Sequence, residues 1–237
     1  TSKHEPDYQD IVLGVFDRIG HDKLNYKKIV TLIDNDGNEE QTEAVMLKIS
    51  PLVKTQSPDI ALGVDIGGAG DQGMMFGYAT DETPELLPIP FVLATRFLEK
   101  LRDYESDIFK ADAKAQVSFD YDSGKITTFL CSVQHSADAE PSDFRPVIET
   151  LMKQTAEEYG LNTDFEILVN PTGRFVIGGP FADCGVTGRK LACDTYGGVG
   201  HIGGGAMSGK DPSKVDRSGT YAARKIAVDI VKAGYAD

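Results

Sequence analysis

Hairpin signals set between helical patterns constrain the fold of this 237-residue chain more than any other feature. Residues 116–121 and 125–132 alternate apolar and polar side chains on either side of Asp122-Ser123-Gly124, a sequence typical of a tight turn. Strands joined by such a turn pair antiparallel, whereas a doubly wound sheet needs strict alternation of strands and helices. The sequence therefore predicts the α+β class.

Another hairpin, which comes first along the chain, is predicted near its start. Strands at 27–33 and 44–53 flank the turn at 34–38. This acidic turn also resembles part of a calcium loop, but an EF-hand needs more acidic ligands and a glutamate at its twelfth position. Only Asp34 and Asp36 precede the glycine of the turn, so the sequence favours a plain hairpin.

Four helices and two further short strands complete the predicted elements. Apolar residues recur at helical spacing in four segments, 8–19, 90–104, 144–159 and 218–233. The two short strands are predicted at 165–169 and 174–177.

Charge and composition exclude several function classes. With a formal charge of −13, the surface as a whole should repel nucleic acid, so an anionic ligand requires a local basic pocket. No apolar run approaches the ~20 residues of a membrane helix, and no signal peptide opens the sequence. Cys131, Cys184 and Cys193 form no CxxC pair, which favours reduced intracellular thiols. We therefore expect a cytoplasmic protein that binds neither nucleic acid nor a membrane.

Residues 68–73 match the dinucleotide-binding pattern GxGxxG. That pattern needs a hydrophobic strand before it and a helix that opens within it. Here residues 61–66 make a poor strand, and the glycine and prolines within 74–90 leave no room for a helix. The sequence favours a tight loop in which one carboxylate, Asp71, lies between glycines.

A second glycine-rich segment is the stronger candidate for binding phosphate. Residues 197–209 contain seven glycines, and Lys210 follows them. Glycines let backbone N–H groups approach a phosphate and the lysine adds a charge, although Asp211 replaces the serine or threonine of an ordinary P-loop. Asp211-Pro212 predicts a helix N-cap and first turn, and Asp216 is a candidate magnesium ligand. A flexible loop with a solvated lysine is the alternative.

Basic residues concentrate around this segment in an otherwise acidic chain. Six of them fall within 44 positions: Arg174, Arg189, Lys190, Lys210, Lys214 and Arg217. Arginine forks and lysine charges suit a polyphosphate, although a run of charges is often only a solvated surface. Phe175, beside Arg174, is either a core residue or an aromatic ring that stacks on a purine. The pattern leaves both interpretations open.

Two stretches resemble the signatures of the S-adenosylmethionine synthetases, or methionine adenosyltransferases. They are residues 68–80 and 203–211. Shorter segments that fit the same family are 56–60, 174–180, 185–190, 194–198 and 214–218. The resemblance implies an α+β fold of three similar α/β subdomains, built from discontinuous segments with helices on one face of mixed sheets. It assigns 1–59 plus 179–216 to a central domain, 83–178 to a second domain, and 66–82 plus 217–237 to the start of a C-terminal domain.

The resemblance also implies that the chain is a piece of a longer protein. The sequence begins at Thr1 without a methionine, and the family's N-terminal histidine-proline-aspartate-lysine segment has no counterpart. The potassium-binding glutamate and the C-terminal third of the family are likewise unmatched, and gating-loop residues are missing between Asp65 and Ile66. We therefore expect N- and C-terminal parts of the fold to lie outside these residues.

For function, the resemblance implies transfer of the adenosyl group of ATP to L-methionine, followed by hydrolysis of tripolyphosphate to pyrophosphate and phosphate. The family uses two magnesium ions and potassium, and its active sites lie between the subunits of a homodimer. The alternatives are a non-catalytic regulatory relative that binds ATP and a P-loop-like phosphotransferase.

The resemblance assigns roles to individual residues. The ATP contacts are Asp112, Lys114, Arg174, Phe175, Asp183, Arg189, Lys190, Ala206 and Lys210. Phe175 is expected to stack on adenine, and the catalytic groups are expected to be Lys114, Arg189, Lys190 and Lys210. The methionine contacts are Gln56, Asp183 and Lys214, and Asp216 resembles a magnesium ligand. Asp71 and Ser136 follow from their signature positions alone.

Overall fold

The computed structural model describes residues 6–19, 27–33, 39–45, 49–55, 57–179, 182–183 and 185–237. Its elements in chain order are α1 (Tyr8–Arg18), β1 (Lys27–Ile33), β2 (Glu39–Val45), α2 (Pro58–Val64), α3 (Ile89–Asp103), β3 (Phe109–Asp120), β4 (Lys125–His135), α4 (Pro141–Glu158), β5 (Glu166–Val169), α5 (Leu191–Asp194) and α6 (Val215–Lys232). Antiparallel hairpins, one parallel strand pair and separate helices confirm the α+β class. Within the described ranges, no helix is long and apolar enough to cross a membrane.

The core forms between a three-stranded sheet and two helices. β3 pairs antiparallel with β4, and β4 pairs parallel with β5. Helices α3 and α4 pack against this sheet and against each other, and they bury residues such as Leu93, Phe97 and Ile148. Phe129 of β4 meets Phe97 edge-on, with ring centroids 5.2 Å apart. Burying each such side chain stabilises the fold by about 1.5–3 kcal/mol.

One face of the sheet takes the helices, and the other carries more polar side chains. Side chains alternate between the faces along each strand, and Phe129, Cys131 and Val133 are fully buried in the core. On β3, Lys114 and Gln116 are exposed on the opposite face. The arrangement confirms helices on one face of a mixed sheet.

The first hairpin has the predicted first strand but a different second strand. β1 pairs antiparallel with β2 in a register that sets Ile33 opposite Glu39. The strand predicted at 44–53 was wrong, because β2 ends at Val45 and residues 49–53 belong to no strand. Pairing with β1 makes residues 39–43 a strand although they are mostly polar. The turn between the strands, with its calcium-loop alternative, lies outside the described residues.

β3 and β4 extend further than the sequence predicted. β3 begins at Phe109 rather than at residue 116, and β4 continues to His135 rather than ending at residue 132. Gly124, in the turn between them, has a φ of +67°, which glycine adopts without strain. The extension places Asp112 and Lys114 inside β3 rather than on a loop or at a strand end.

The four predicted helices are present as α1, α3, α4 and α6, with ends that differ by a few residues. The short helix α2 was not predicted; it has Ser57 as its N-cap and Pro58 in its first turn. Residues 68–80 form neither helix nor strand, which confirms a loop at the GxGxxG pattern.

A buried asparagine turns the chain after β5. Asn170 has a φ of +41°, a left-handed conformation that asparagine tolerates better than most residues. Its Nδ2 donates to the Val133 carbonyl oxygen at 3.0 Å, and its Oδ1 accepts from the Val133 amide at 2.8 Å. Gly173 closes the turn by donating its amide to the Asn170 carbonyl at 2.7 Å. The turn sends residues 174–179 back along the end of β4.

The strand predicted at 174–177 was wrong. These residues belong to no strand, and Gly173 and Gly179, with φ of +93° and +61°, bracket them. A regular strand does not continue through such angles. The hydrogen bonds of the segment go instead to the last residues of β4 and to one side chain of β3.

We expect Asn170→Ala to destabilise the fold by about 2–4 kcal/mol. The substitution leaves both Val133 backbone groups without their partners and places alanine at a positive φ. Urea unfolding followed by circular dichroism measures the change. Asn170→Gly removes the same amide but relieves the backbone, so its loss should be smaller by about 1 kcal/mol. Unchanged stability in both variants would contradict this role.

Arg224 joins α6 to the loop that precedes α3. Its Nη1 donates to the carbonyl oxygens of Tyr78 and Leu86 at 2.6 and 3.0 Å, and its Nη2 donates to that of Glu85 at 3.0 Å. Gly77 packs on the same helix, because a Cβ there would come within 2.0 Å of the Ala223 carbonyl oxygen. These contacts fix the first glycine-rich stretch against α6.

Arg224→Met is expected to destabilise this junction by about 2–4 kcal/mol, because three partly buried carbonyls lose a charged donor. Arg224→Lys keeps the charge but not the fork of donors, so it should recover only part of the loss. Thermal unfolding measures both variants. Wild-type stability in the methionine variant would show that the junction does not depend on the guanidinium.

Candidate active site

The two glycine-rich stretches meet beside α6. A Cβ on Gly203 would lie 3.3 Å from the carbonyl oxygen of Met74. A Cβ on Gly219 of α6 would lie 2.9 Å from Cγ of Met75. The lack of a side chain on these two glycines allows packing this close. The structure therefore brings both stretches and the start of α6 to one place.

The second stretch holds a lysine and a carboxylate in contact. Lys210 Nζ lies 2.6 Å from Asp216 Oδ2, and the two side chains are 28% and 30% exposed. Gly205 lies directly against that carboxylate, since a Cβ there would come within 2.1–2.5 Å of its atoms. Asp216 is in the first turn of α6, where the helix N-terminus favours a negative group. One cation and one anion are thus paired within reach of solvent.

Asp211 does not cap α6, so that prediction was wrong. The N-cap is Lys214, and the Lys214 amide donates to the Asp211 carbonyl at 3.1 Å in a turn that precedes the helix. The Asp211 carboxylate accepts from the Ser213 hydroxyl and from the Ser213 amide at 2.8 Å, which lowers its pKa to about 2. Asp211 therefore shapes the approach to the helix as an ionised side chain.

A tight contact places the backbone just before Arg189 and Lys190 against the same stretch. Gly188 has a φ of +85°, and a Cβ there would lie 2.5 Å from the Ala206 Cβ. Both basic side chains are exposed, and the Lys190 ammonium donates to the Arg189 carbonyl oxygen at 3.3 Å. Five predicted residues are gathered in this way and are called the basic cluster below: Arg189, Lys190, Ala206, Lys210 and Asp216.

Asp112 and Lys114 lie two residues apart on β3 and share one face of the sheet. The Lys114 side chain is exposed, whereas Asp112 Oδ2 accepts a hydrogen bond from the Gly179 amide at 2.9 Å. Gly178 fits closely over the strand, because a Cβ there would lie 3.1 Å from the Asp112 Cβ. The carboxylate therefore holds residues 178–179 to the sheet.

Arg174 and Phe175 lie at the start of the same segment. Arg174 is exposed and Phe175 is partly buried. Among the described residues, the buried helix–sheet core does not include Phe175. The Phe175 carbonyl accepts from the His135 amide at 2.9 Å, and its own amide donates to His135 Nε2 at 3.1 Å. The segment thus presents a cation and an aromatic ring from a fixed backbone.

Five further residues were predicted for the site. Asp183 and Asp71 are exposed, Lys214 is partly buried just before α6, and Ser136 is partly buried after β4. Gln56 lies outside the described residues. The roles of these five, like those of all the predicted site residues, stay predictions.

Two family models match most of the chain. Residues 66–175 match the S-adenosylmethionine synthetase central domain, and residues 177–237 match the S-adenosylmethionine synthetase C-terminal domain. The chain belongs to the S-adenosylmethionine synthetase family. This family makes S-adenosylmethionine from ATP and L-methionine, and membership confirms the resemblance read from the sequence. The division into three discontinuous subdomains stays a prediction.

The predicted site residues fall into both matches. The group formed by Asp112, Lys114, Arg174 and Phe175 belongs to the central-domain match. The basic cluster belongs to the C-terminal-domain match. A cleft of about 670 Å³ lined by Arg96, Glu99, Asp103 and other residues contains none of the predicted site residues.

Sequence reasoning missed three residues that support the candidate site. Gln134, His135 and Asn170 are buried polar side chains at the ends of strands. Each of them bonds a backbone group that lies 37 to 42 residues away along the chain. A polar pair that ends an apolar strand was the one available signal, and it does not identify a partner so distant.

Magnesium fits the chemistry of the Asp216 carboxylate. Magnesium prefers oxygen ligands, and proteins usually hold it with one or two carboxylates together with substrate phosphates. In the described part of the chain, no group of three histidine, cysteine, aspartate or glutamate side chains is placed to hold a metal ion. A magnesium ion at Asp216 would therefore need further oxygen ligands, which a bound polyphosphate can supply.

Proposed function

We propose that this protein transfers the adenosyl group of ATP to L-methionine and then hydrolyses the tripolyphosphate to pyrophosphate and phosphate. The observation that carries the proposal is the basic cluster, in which Lys210 pairs with Asp216 and Gly188, which precedes Arg189 and Lys190 in the chain, packs on Ala206. The methionine sulfur attacks C5′ of ATP, the C5′–oxygen bond breaks, and its electron pair leaves with the tripolyphosphate. A water molecule then cleaves one phosphoanhydride bond.

The chemistry explains why the basic cluster contains cations and no obvious general base. A thioether sulfur is a nucleophile without losing a proton, so the reaction needs alignment and stabilisation of a highly charged leaving group. Lys210 exchanges Asp216 for phosphate oxygens when ATP binds, and Arg189 and Lys190 add further positive charge. Asp216 is then available to hold magnesium, which neutralises phosphate charge when bound.

The central-domain group binds the nucleoside. Phe175 stacks on adenine and Arg174 holds the nucleoside beside it, Asp112 contacts the nucleotide while it orders residues 178–179, and Lys114 reaches toward the phosphates. A partly buried aromatic ring and exposed cationic side chains on a fixed backbone support this assignment.

The methionine contacts proposed are Gln56, Asp183 and Lys214. The product is a sulfonium cation, and the exposed Asp183 carboxylate stabilises its positive charge.

The proposal includes the assembly and the cofactors. We place the active site between two subunits of a cytoplasmic homo-oligomer that uses two magnesium ions and potassium. Arg174, Asp183, Arg189 and Lys190 are all exposed in the single chain, which supports completion of the site by a second subunit. Light scattering of the purified protein tests the oligomer, and a monomer at assay concentration would contradict it.

Product analysis tests the proposed reaction. Full-length protein is incubated with ATP, L-methionine, magnesium and potassium, and the products are separated by ion-exchange chromatography. We expect equal amounts of S-adenosylmethionine, pyrophosphate and phosphate, and no ADP. ATP binding without turnover would favour the regulatory alternative, and ADP as a product would indicate a phosphotransferase.

A further inference from the structure

Gln134 and His135 end β4 with only 5% and 4% of their surface exposed. Buried polar side chains are unfavourable unless they form hydrogen bonds, so their partners indicate what they support. Both bond to the segment 174–179, which carries Arg174 and Phe175. Because that segment belongs to no strand, its backbone conformation depends on such side-chain contacts.

His135 bonds both backbone groups of Phe175, and the pattern defines the state of its ring. An amide only donates, so Nε2 must accept from Phe175 at 3.1 Å. A carbonyl only accepts, so Nδ1 carries the proton and donates to the Ser136 oxygen at 2.8 Å. The ring lies against that of Phe144, with centroids 4.8 Å apart. The ring is therefore bonded through both nitrogens and held in one orientation.

Gln134 and Asp112 form hydrogen bonds to later residues of the same segment. Gln134 Nε2 donates to the Val176 carbonyl oxygen at 3.0 Å, and Asp112 bonds the Gly179 amide. Within the described residues, the Gln134 Oε1 atom is buried without a hydrogen-bond partner. A leucine or methionine would fill the site without that unpaired oxygen, so the bond to Val176 is the evident benefit of the glutamine.

We propose that His135 and Gln134 are positioning residues that hold Phe175 and Arg174 in the arrangement that binds the adenosine part of ATP. The inference rests on the proposed function, which assigns the nucleoside to these two residues. A preorganised segment avoids the loss of conformational freedom that otherwise opposes binding. Contacts to adenine are the same in the ground and transition states, so losing them raises KM for ATP and leaves kcat nearly unchanged.

Comparing His135→Met with His135→Gln tests this role. Glutamine reaches the region of Nε2 with an acceptor oxygen, whereas methionine has similar length but offers the Phe175 amide no strong acceptor. We expect His135→Met to raise the Kd for AMP and the KM for ATP about tenfold or more. Its kcat and its KM for methionine should stay within about threefold of wild type. His135→Gln should recover most of the lost affinity.

Inorganic tripolyphosphate with magnesium is the control ligand, because it has no adenosine. Its Kd, measured by calorimetry, should be unchanged in both variants, which general damage to the fold would not allow. Gln134→Met removes the donor to Val176 and should weaken AMP binding about threefold or more. That variant decides the question if His135→Met does not fold.

The outcomes separate this inference from the proposed function. AMP affinity equal to wild type in the folded variants overturns the positioning role and leaves the reaction untouched. A wild-type protein that binds neither AMP nor ATP overturns both.

Discussion

Lys210→Met is expected to lower kcat for S-adenosylmethionine formation about 10²–10³-fold, the usual effect of removing one donor aimed at developing negative charge. In the ligand-free protein this ammonium lies 2.6 Å from Asp216. In the proposed reaction it turns to the tripolyphosphate as the C5′–oxygen bond breaks. Methionine preserves most of the aliphatic stem but supplies no charge, so the loss should fall on kcat more than on folding.

Stability should change little in this variant, because partly exposed ion pairs contribute about 0–1 kcal/mol. Lys225→Met is the matched control: Lys225 also pairs with an aspartate, Asp229, but both side chains are well exposed further along α6. We expect its activity to stay within about twofold of wild type. Steady-state kinetics at saturating ATP and methionine measures both. Equal activities for the two variants would remove Lys210 from the reaction.

Gly205→Ala is expected to lower the rate about 10- to 100-fold and to weaken activation by magnesium. The new Cβ would come within 2.1–2.5 Å of the Asp216 carboxylate, so that carboxylate must rotate away from Lys210. Only the end of a side chain has to move, so the free energy of unfolding should change by less than about 1 kcal/mol. The prediction is therefore a functional defect in a stable protein.

Gly204→Ala provides the control for Gly205→Ala. The neighbouring glycine has no atom within 4 Å of an added Cβ, and its φ is not in the left-handed region. We expect this variant to keep its activity within about twofold and its magnesium dependence unchanged. The rate is measured as a function of magnesium concentration for both variants. The same magnesium dependence in both variants would mean that the Gly205–Asp216 contact does not serve metal binding.

The sequence predicted the turn and the two paired strands of the second hairpin, β3–β4, because their signals are local. Asp122-Ser123-Gly124 and the alternation on either side of it lie within a few residues of each other. β2 was predicted in the wrong place because its backbone pairs with β1 although its own residues are mostly polar. Periodicity detects apolar patterns, whereas register depends on the partner strand.

For the candidate site, too, the sequence predicted the local features and missed the non-local ones. Glycine spacing and the family signatures are local features, and they single out Lys210, Asp216 and Arg189 in the sequence. They did not predict that Gly205 would lie against Asp216, or that Asp211 would form a turn instead of a cap. Those facts depend on how the loop folds onto α6, a non-local contact that spacing alone does not encode.

The hardest residues to predict were the buried polar ones. His135 and Asn170 act through backbone groups of distant segments, so nothing in their own neighbourhood marks them. Their position at strand ends follows from tertiary packing, which decides where a short polar side chain finds its partner.

The bond that is broken in ATP tests the central claim most directly. ATP labelled with oxygen-18 at the bridging C5′ position is converted by the full-length protein in the presence of L-methionine, magnesium and potassium, and the products are analysed by mass spectrometry. Cleavage at C5′ predicts that all of the label appears in the released pyrophosphate and phosphate, and none in S-adenosylmethionine. Label retained in a nucleotide product such as ADP would show that the protein cuts ATP at phosphorus and would contradict the proposed function.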